Sequence, residues 1–575
     1  MSASSVTVLV GGEAGQGLVT VGDFLAKALV RAGYEILVVQ DYLSRIRGGH
    51  NTYCVRVSPD PVHAPPENVD LLVALDQASL ALHGPLLSPG GLALAGEKTD
   101  LGGLPGLNVP YSRLCPRPVH ENMAALGVLA GLLCLERSWL EGLITERFAA
   151  KGGDEAALNL KVFSDALDWT RESGASFACL PPPMRREKRL FLNGNEAIAL
   201  GAMAAGVNFC SFYPMTPATS VAAALVAPGG RMGVLTEQAE DEIAAVNMAL
   251  GASAAGARVL VPTSGGGFAL MVEGVSLAGM IETPLTVVLA QRPGPATGLP
   301  TRTEQGDLNL VVHAGHGDFP RAVYAPGTPE QCFDLTFRAV NQAEKWQSPA
   351  FVLTDQYLAD SYRAVAPFDL EALPPLDLPG LETPDPHGYE RYALTENGVS
   401  PRLIPGFGEH LVVLDSDEHT PDGHITEDLG VRVRMVDKRL RKGRGLEADA
   451  VAPSLAGDAA PEVLLACWGS SLGACLEAAQ TLRERGTSAA VLHFSQVWPL
   501  VPESFLPVLE GAGRAVMVEG NPSGQLAKLI RQETGFAFHG LVTRYDGLPF
   551  TAGYILARLG SPQGTSTVAG EEVSA

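Results

Sequence analysis

Three short apolar segments in the middle of the chain constrain the fold more than any other feature. Residues 260–266 (LVPTSGG), 284–291 (PLTVVLAQ) and 350–355 (AFVLTD) are apolar in continuous runs, without the alternation of a half-exposed strand. Strands that are buried on both faces have this pattern, and they occur in parallel sheets covered by helices. The segments therefore predict a parallel α/β layer that begins near Leu190 and ends near Tyr362.

The same alternation of strand, small-residue turn and helix opens and closes the chain. Near the start, a strand at 6–10 leads through a glycine-rich turn into a helix that ends near Arg31, and a second strand follows at 35–40. Further elements are expected at 69–76, 90–96 and 121–149 (helical), and later at 463–471, 472–485 (helical), 488–494, 514–521 and from Gly524 (helical). This alternation predicts an α/β fold class with several doubly wound domains.

Proline-rich stretches indicate the domain boundaries. Residues 180–190 are rich in proline and then basic, which is typical of a linker. Residues 363–460 are rich in Pro, Asp and Gly and lack periodicity, so they predict a long irregular connection with a small β-rich element at 411–419 (LVVLDSDEH). The predicted division is therefore 1–180, 190–362, 363–460 and 461–575.

The charge of the chain limits its partners. There are 41 Lys and Arg against 63 Asp and Glu, which gives a formal net charge of −22. Nucleic-acid binding needs a basic surface to neutralise phosphates, so no nucleic-acid partner is expected. The N-terminus lacks a basic leader, and no run of about 18 apolar residues occurs. We expect a cytoplasmic protein without a membrane segment, in which any anionic substrate meets local positive groups.

The eight cysteines are widely spaced, and no CxxC motif occurs. Metal and iron–sulfur sites usually need closely spaced thiolates. Cytosolic thiols are usually kept reduced. The sequence therefore predicts reduced, mostly buried thiols and no metal site in this chain.

Two segments of the first domain have the composition of an anion site. The turn at 11–17 (GGEAGQG) contains Gly15 and Gly17 and precedes a helix, whose free N–H groups attract phosphate. A second stretch, 45–50, carries Arg47 together with the pair Gly48 and Gly49. A tight βα turn and a solvated loop are equally good readings of these segments.

The central domain carries the more specific candidates. In 212–220 (FYPMTPATS), Thr216 lies between two prolines on a rigid loop after a strand, a suitable place to hold a carboxylate or a carbonyl, or simply to form a capped turn. Arg292 and Arg302 lie on a Gly- and Pro-rich loop, and arginine suits bidentate binding of carboxylates. An anionic substrate and an exposed loop both fit these arginines.

Three consecutive acids, Glu240, Asp241 and Glu242, begin a helix that is otherwise apolar on nearly all faces. Acids in a first turn stabilise the helix dipole, so capping is one reading. The apolar composition instead predicts a buried helix, in a core or a subunit interface, where a carboxylate needs a partner or has a raised pKa. Helix periodicity does not select among the three acids.

Together these stretches resemble the alpha subunit of 2-oxoacid:ferredoxin oxidoreductases, with a gamma portion fused at its N-terminus. The matching strings run in order from residue 11 to residue 526: GGEAGQG, RGGH, YPMTPAT, EDEIAAVNMALGASAAG, TSGGGFALM, TGLPTRTEQGDL, WGSS and VEGNPSGQL. The resemblance implies a Rossmann-like gamma domain, a pyrimidine-binding domain of the thiamine-enzyme type and a transketolase C-terminal-like domain. It also implies oxidative decarboxylation of a 2-oxoacid on thiamine diphosphate, with transfer of the acyl group to coenzyme A and of electrons to ferredoxin, and the reverse carboxylation as in a reductive tricarboxylic acid cycle.

The resemblance also implies roles for particular residues. Glu242 matches the family's catalytic carboxylate, which hydrogen-bonds the aminopyrimidine ring of thiamine, while Glu240 and Asp241 remain competing choices. Thr216, Arg292 and Tyr213 are expected to bind the 2-oxoacid, and Arg302 the distal carboxylate of a dicarboxylic substrate. The expected coenzyme A contacts are Gly15, Gly17, Arg47, Gly48 and Gly49.

The expected partners follow from what the chain lacks. A GDG motif followed by NN, which holds the diphosphate of thiamine, is absent from the sequence. The resemblance assigns that half of the site, with Mg²⁺ and a [4Fe–4S] cluster, to a beta subunit, in a dimer of alpha–beta heterodimers. Overall likeness and the two arginines favour 2-oxoglutarate as the substrate. Pyruvate, another 2-oxoacid, or a non-catalytic nucleotide-binding role are the alternatives.

Overall fold

The computed structural model describes residues 5–43, 49–149, 153–183, 187–376, 388–407 and 410–560. The strands are β1 (Val6–Glu13), β2 (Glu35–Asp41), β3 (His50–Ser58), β4 (Val69–Ala74), β5 (Leu87–Gly96), β6 (Gly106–Val109), β7 (Leu190–Leu192), β8 (Phe209–Phe212), β9 (Leu235–Gln238), β10 (Val259–Thr263), β11 (Leu285–Gln291), β12 (Ala322–Tyr324), β13 (Pro349–Asp355), β14 (Arg363–Val365), β15 (Ser454–Ala456), β16 (Val463–Trp468), β17 (Ala489–Phe494), β18 (Gln496–Trp498), β19 (Arg514–Glu519) and β20 (Gly540–Thr543).

The helices are α1 (Leu18–Ala32), α2 (Gln77–His83), α3 (Tyr111–Leu114), α4 (Glu121–Leu132), α5 (Arg137–Phe148), α6 (Gly153–Glu172), α7 (Gly194–Ala204), α8 (Thr219–Met232), α9 (Glu242–Ala254), α10 (Gly265–Met280), α11 (Leu308–Val312), α12 (Pro329–Trp346), α13 (Gln356–Asp360), α14 (Leu429–Ala448), α15 (Leu472–Glu484), α16 (Leu506–Gly511), α17 (Gln525–Thr534) and α18 (Ala552–Leu559). The chain forms two compact units, Met1–Asn193 with Asp360–Phe368, and Gly194–Ala359 with Asp369–Ala575.

The first unit contains an eight-stranded mixed sheet, in the order β6-β5-β4-β1-β3-β2-β14-β7. Strand β3, which the sequence did not predict, lies between β1 and β2 and is antiparallel to both. The β-turn-α-β opening is therefore present, but its two strands are separated by an antiparallel neighbour. Helices α1 and α4–α6 pack their apolar faces on this sheet and form the core of the unit.

The second unit contains two sheets. The seven-stranded sheet has the order β18-β12-β13-β11-β10-β8-β9, and the five-stranded sheet has the order β15-β17-β16-β19-β20. Within each, the pairs are parallel except at β18 and β15. The three continuously apolar segments become the neighbours β10, β11 and β13, which are buried along their whole length. The prediction of a parallel α/β layer is confirmed.

One prediction about cysteine is wrong. Cys134 and Cys179 form a disulfide, with Cα atoms 5.1 Å apart, whereas the sequence predicted reduced thiols throughout. The backbone N–H of Leu180 donates to the carbonyl of Leu133, which aligns the two segments. This pairing joins residues 45 positions apart, so spacing alone did not reveal it. The other six cysteines are free, and all but Cys115 are buried.

The segment 363–460 also differs from its prediction. Its described residues contain α14, a helix of 20 residues, and only an isolated bridge between His419 and Ile425 where a β-rich element was expected. Helix α14 buries basic side chains: Lys438 and Lys442 both bind the buried carboxylate of Glu282, at 2.7 and 2.5 Å. Burial alone would raise the pKa of Glu282, but the two lysines and Arg391 lower it to about 2. The helix is therefore held to the unit by buried charge.

Candidate functional site

The three consecutive acids before α9 have three different environments. The side chain of Glu240 is exposed. Asp241 is the N-cap of the helix, and its carboxylate accepts a hydrogen bond of 2.7 Å from the backbone N–H of Ala244. Glu242 begins the helix and is only 3% exposed. Asp241 therefore caps the helix, and the side chain of Glu242 is buried.

Glu242 lies against the first turn of α10. Its Oε1 is buried and has no hydrogen-bond partner among the described residues. A Cβ atom at Gly267 would lie within 3.0 Å of that oxygen and of the hydroxyl of Thr263, so the carboxyl packs directly on a glycine backbone. Burial raises the pKa of Glu242, and the neighbouring charge of Asp241 raises it further. A buried acceptor without a donor is a site prepared for an incoming N–H group.

A second group of residues forms beside the loop that follows β8. One guanidinium nitrogen of Arg292, Nη1, donates a 2.6 Å hydrogen bond to the carbonyl of Thr216. The buried Asn195 holds the same loop, because its amide donates to the carbonyl of Pro217 and to the hydroxyl of Ser220. Burial lowers the pKa of Arg292, while the charge of Asp307 opposes that shift. The structure thus brings together Thr216 and Arg292, the two residues to which the family resemblance assigned one substrate.

Two carboxyl groups that the sequence analysis missed lie on the same loop as Arg292. Burial raises the pKa of Asp307 to about 6, and Arg292 partly counteracts this effect. Burial, and then the charge of Asp307, raise the pKa of Glu304 to about 7. Perturbed carboxyls in a concave site are functional candidates. The available signal was their position shortly after Arg302, at the end of the Gly- and Pro-rich loop 290–308.

The side chain of Gln305 anchors the loop that carries Glu304 and Asp307. This side chain donates to the carbonyl of Trp468 at 2.8 Å and accepts from the N–H of Gly520 at 2.7 Å. The amide of Asn521 donates to the backbone carbonyl of Gln305, and the amide of Gln525 to that of Gly306. The late motifs WGSS and VEGNPSGQL therefore fix the loop that carries Glu304 and Asp307.

The remaining predicted residues of the second unit lie apart from these contacts. Tyr213 is 40% exposed on the loop after β8. Arg302 lies against Gly547: a Cβ atom built at Gly547 would lie 3.0 Å from the Cβ of Arg302. The next residue, Thr303, donates its backbone N–H to the carbonyl of Gly547.

The glycine-rich turn of the first unit connects β1 to α1. Gly15 and Gly17 both have positive φ, 101° and 85°, so larger residues would strain the turn. Space around Gly15 is open, while Gly17 faces the amide of Asn122. Gly49 also has positive φ, at 83°. Arg47 and Gly48 lie outside the described residues.

The surface beside Glu242 is apolar. Helix α9 was predicted to be buried, in a core or in a subunit interface; in this single chain Ile243 is 50% exposed and Met248 is 42% exposed. Leu270, on α10, is 51% exposed. Exposed apolar side chains that cluster next to a site are typical of an interaction surface. The helix is therefore buried on one side only in this chain.

The described part of the chain contains neither a metal-binding cluster nor a membrane-spanning helix. No group of three or more His, Cys, Asp or Glu side chains there is arranged to hold a metal ion. Within the same residues, none of the helices combines the length and the apolar character that crossing a lipid bilayer requires.

Family models match three parts of the chain. Residues 7–169 match "Pyruvate ferredoxin/flavodoxin oxidoreductase", residues 200–438 match "Pyruvate flavodoxin/ferredoxin oxidoreductase, thiamine diP-bdg", and residues 457–547 match "Transketolase, C-terminal domain". These matches confirm the expected fold classes of the three α/β parts. The description of the second match names thiamine diphosphate binding, so this binding is a property of the family to which residues 200–438 belong.

Similar proteins extend over the whole chain. The alpha subunit of 2-oxoacid:ferredoxin oxidoreductase 2 from Aeropyrum pernix is 31% identical, over 95% of both chains. 2-oxoglutarate oxidoreductase subunit KorA from Mycobacterium tuberculosis is 30% identical, over 95% of this chain and 90% of the other. A solved 2-oxoglutarate:ferredoxin oxidoreductase from Magnetococcus marinus is 31% identical with a TM-score of 0.91, over 97% of this chain and 99% of that chain. The chain belongs to the alpha subunits of the 2-oxoacid:ferredoxin oxidoreductases.

Proposed function

We propose that the chain is the gamma-fused alpha subunit of a 2-oxoglutarate:ferredoxin oxidoreductase. The reaction is oxidative decarboxylation of 2-oxoglutarate to succinyl-CoA with reduction of ferredoxin, or its reverse. The Magnetococcus marinus structure, similar over nearly its whole length, contains 2-oxoglutarate, coenzyme A and succinyl-CoA. Several relatives, including the Mycobacterium tuberculosis KorA, are named as 2-oxoglutarate enzymes. These likenesses favour 2-oxoglutarate over pyruvate.

The observation that carries the proposal is the unpartnered Oε1 of Glu242. A buried carboxyl with a raised pKa can share a proton with a ring nitrogen, which a solvated carboxylate does poorly. Thiamine diphosphate, when bound, supplies a carbon nucleophile and an electron sink for decarboxylation. The aminopyrimidine ring offers the N–H donor that this oxygen lacks. Glu242 would hold the ring in place and exchange the proton there.

The substrate is proposed to bind at the neighbouring loops. Arg292 and Thr216 would receive the carboxylate and carbonyl of the 2-oxoacid, with Tyr213 at the entrance. One guanidinium hydrogen bond, to the carbonyl of Thr216, orients Arg292 and leaves its other donors for an anion. Arg302 is proposed to serve the distal carboxylate.

The rest of the machinery is proposed to come from partners. The beta subunit would cover the apolar surface formed by Ile243, Met248 and Leu270, and would bring the diphosphate site, Mg²⁺ and a [4Fe–4S] cluster. Gly15, Gly17 and Gly49, with Arg47 and Gly48, would help to bind coenzyme A. We also propose a dimer of alpha–beta heterodimers that works in the cytoplasm with ferredoxin.

The test is to reconstitute the chain with its beta subunit and to assay reduction of a viologen dye. 2-Oxoglutarate, pyruvate and a branched-chain 2-oxoacid are compared, each with coenzyme A. We expect the highest kcat/KM with 2-oxoglutarate, and we expect Arg302→Ala to raise KM for 2-oxoglutarate by more than that for pyruvate. Faster turnover of pyruvate would refute the substrate assignment. Unchanged activity in Glu242→Gln would favour the non-catalytic alternative.

A further inference from the structure

The amide of Asn195 ties down the loop that follows β8. The side chain is fully buried. Its nitrogen, Nδ2, donates to the carbonyl of Pro217 at 2.8 Å and to the hydroxyl of Ser220 at 2.7 Å. An asparagine amide has two hydrogens to donate, so both are used on this loop. The loop is therefore held by Asn195 at two points.

Helix α7 gives Asn195 a fixed position. The residue is the second of the helix. A Cβ atom at the first residue, Gly194, would lie 2.5 Å from the carbonyl oxygen of Leu358, so the helix begins in close contact with the backbone of α13. Two turns further on, a Cβ atom at Gly201 would overlap the carbonyl oxygen of Phe333 in α12. The helix that carries the amide is thus packed tightly against two others.

The carbonyl that precedes Pro217 in the chain is the one that Arg292 binds. Nη1 of Arg292 donates to the carbonyl of Thr216 at 2.6 Å. Because the peptide bond is planar, only φ and ψ of Pro217 separate the carbonyls of Thr216 and Pro217. The proline ring fixes φ, and the hydrogen bond from Asn195 to the carbonyl of Pro217 restricts ψ. Asn195 therefore limits the rotation of the Thr216 carbonyl.

The Thr216 carbonyl in turn orients the guanidinium of Arg292. A guanidinium is planar, and its five N–H groups point in fixed directions. A hydrogen bond on one nitrogen therefore sets the direction of the donors that remain. Binding a carboxylate through two parallel hydrogen bonds depends on that direction. A neutral amide thus controls the geometry of a cation through the backbone of the loop.

We propose that Asn195 is a positioning residue for the 2-oxoacid: through the Thr216–Pro217 peptide it directs the guanidinium of Arg292 towards the substrate carboxylate. This inference rests on the proposed function, since it assumes that the carboxylate beside the reactive carbonyl binds at Arg292. Each link in the chain is a hydrogen bond or a backbone torsion. The effect of Asn195 on the substrate is therefore conditional on the presence of Arg292.

The experiment uses the complex reconstituted with its beta subunit and cofactors. Viologen reduction gives kcat, KM for 2-oxoglutarate, KM for coenzyme A and the inhibition constant of N-oxalylglycine, which has an amide carbonyl in place of the reactive ketone. In Asn195→Ala, KM for 2-oxoglutarate and the inhibition constant should rise about tenfold, because the charge-assisted bonds from Arg292 are weakened. We expect kcat to change by less than about threefold and KM for coenzyme A by less than about twofold. A loss of stability alone would lower the active fraction, and so kcat, without raising KM.

A double-mutant cycle tests the route through Arg292. The value of kcat/KM for 2-oxoglutarate is measured in wild type, in Asn195→Ala, in Arg292→Ala and in the double variant. Asn195→Ala should lower it about tenfold in the wild-type background and less than about twofold in the Arg292→Ala background. An equal fall in both backgrounds, or an unchanged KM in Asn195→Ala, overturns the proposal.

Asn159→Ala is the matched control. Asn159 is 3% exposed, and its amide donates to the carbonyl of Glu155 at 2.8 Å, so the variant loses the same kind of buried bond in the first unit. Its KM for 2-oxoglutarate should stay within about twofold of wild type. If Asn195→Ala does not assemble, Asn195→Asp replaces it. A carboxylate of the same size has no N–H to offer to Pro217, so the same changes in KM and in the cycle are expected.

Failure of the proposed function has a different signature. If Arg292→Ala leaves KM for 2-oxoglutarate unchanged, the carboxylate does not bind at Arg292 and the proposed substrate site is wrong. If Arg292→Ala raises KM and Asn195→Ala does not, the site stands and the role of Asn195 is refuted. If pyruvate is the better substrate, the same cycle is run with pyruvate, because both substrates carry a carboxylate beside the carbonyl.

Discussion

Gly267→Ala should disable the catalytic carboxyl without changing any ionisable group. The new Cβ would lie within 3.0 Å of three atoms, the hydroxyl of Thr263 and Oε1 and Cγ of Glu242. Thr263 is fully buried and β-branched, so it cannot turn away, and the carboxyl of Glu242 must move. Since ordinary contacts begin at 3.4 Å, the shift needed is about 1 Å.

A displacement of about 1 Å in a catalytic group costs about 10²-fold in rate, or about 2.7 kcal/mol in activation free energy. The assay is viologen reduction by the reconstituted complex with saturating 2-oxoacid and coenzyme A. We expect kcat to fall by about two orders of magnitude. Thermal stability should also fall, by about 1–3 kcal/mol, because the new methyl group overlaps the buried hydroxyl of Thr263.

Gly266→Ala is the matched control for this prediction. The neighbour nearest to a Cβ there is the carbonyl oxygen of Ala296 at 3.8 Å, an ordinary contact. The variant should keep kcat within about twofold and gain up to about 1 kcal/mol in stability. Near wild-type kcat in Gly267→Ala, with Glu242 unmoved in a solved structure, would refute the reasoning about this turn.

Two further predictions concern buried carboxyls. Glu242→Gln should lower kcat by about 10²-fold or more with the fold preserved, as loss of a general acid–base group does. Glu240→Gln, at an exposed position, should leave kcat within about twofold of wild type. Equal effects in the two variants would contradict the assignment of Glu242. Glu282→Gln leaves the ammonium groups of Lys438 and Lys442 buried without a counter-ion. It should lower the free energy of unfolding by about 3 kcal/mol, measured as a drop of several degrees in melting temperature. Glu510→Gln, on the surface, should change the free energy of unfolding by less than about 0.5 kcal/mol.

The parallel strands of the central and last parts could be predicted because burial on both faces leaves a signal in the local sequence. Strand β3 and helix α14 could not. Strand β3 pairs antiparallel with both β1 and β2, and its sequence, HNTYCVRVS, is not the continuous apolar run that identified the buried parallel strands. In α14 the buried face carries Lys438 and Lys442, so the usual apolar periodicity is absent. The buried lysines need the carboxylate of Glu282 as a counter-ion, and Glu282 lies 156 residues before Lys438 in the sequence.

The candidate site shows the same division. The sequence identified three adjacent acids, and only the structure separates the cap, Asp241, from the buried Glu242. The family resemblance assigned Thr216 and Arg292 to one substrate, and only the structure shows that they are in contact. Asp307 was missed because its pKa depends on burial against Gly265, a contact that no periodic pattern encodes.

The anchoring of Gln305 explains why the site needs the last part of the chain. A loop rich in glycine and proline has little structure of its own, and holding an acid within tenths of an ångström requires external hydrogen bonds. Gln305 is 3% exposed and its side chain bonds two strand ends of the five-stranded sheet, at Trp468 and Gly520. Asp307 lies two residues further on, and Gln291 fixes its backbone from the seven-stranded sheet. The loop thus joins two sheets, and the position of Asp307 depends on both. A domain can in this way shape the site through backbone and amide hydrogen bonds alone, without placing a charged side chain in it.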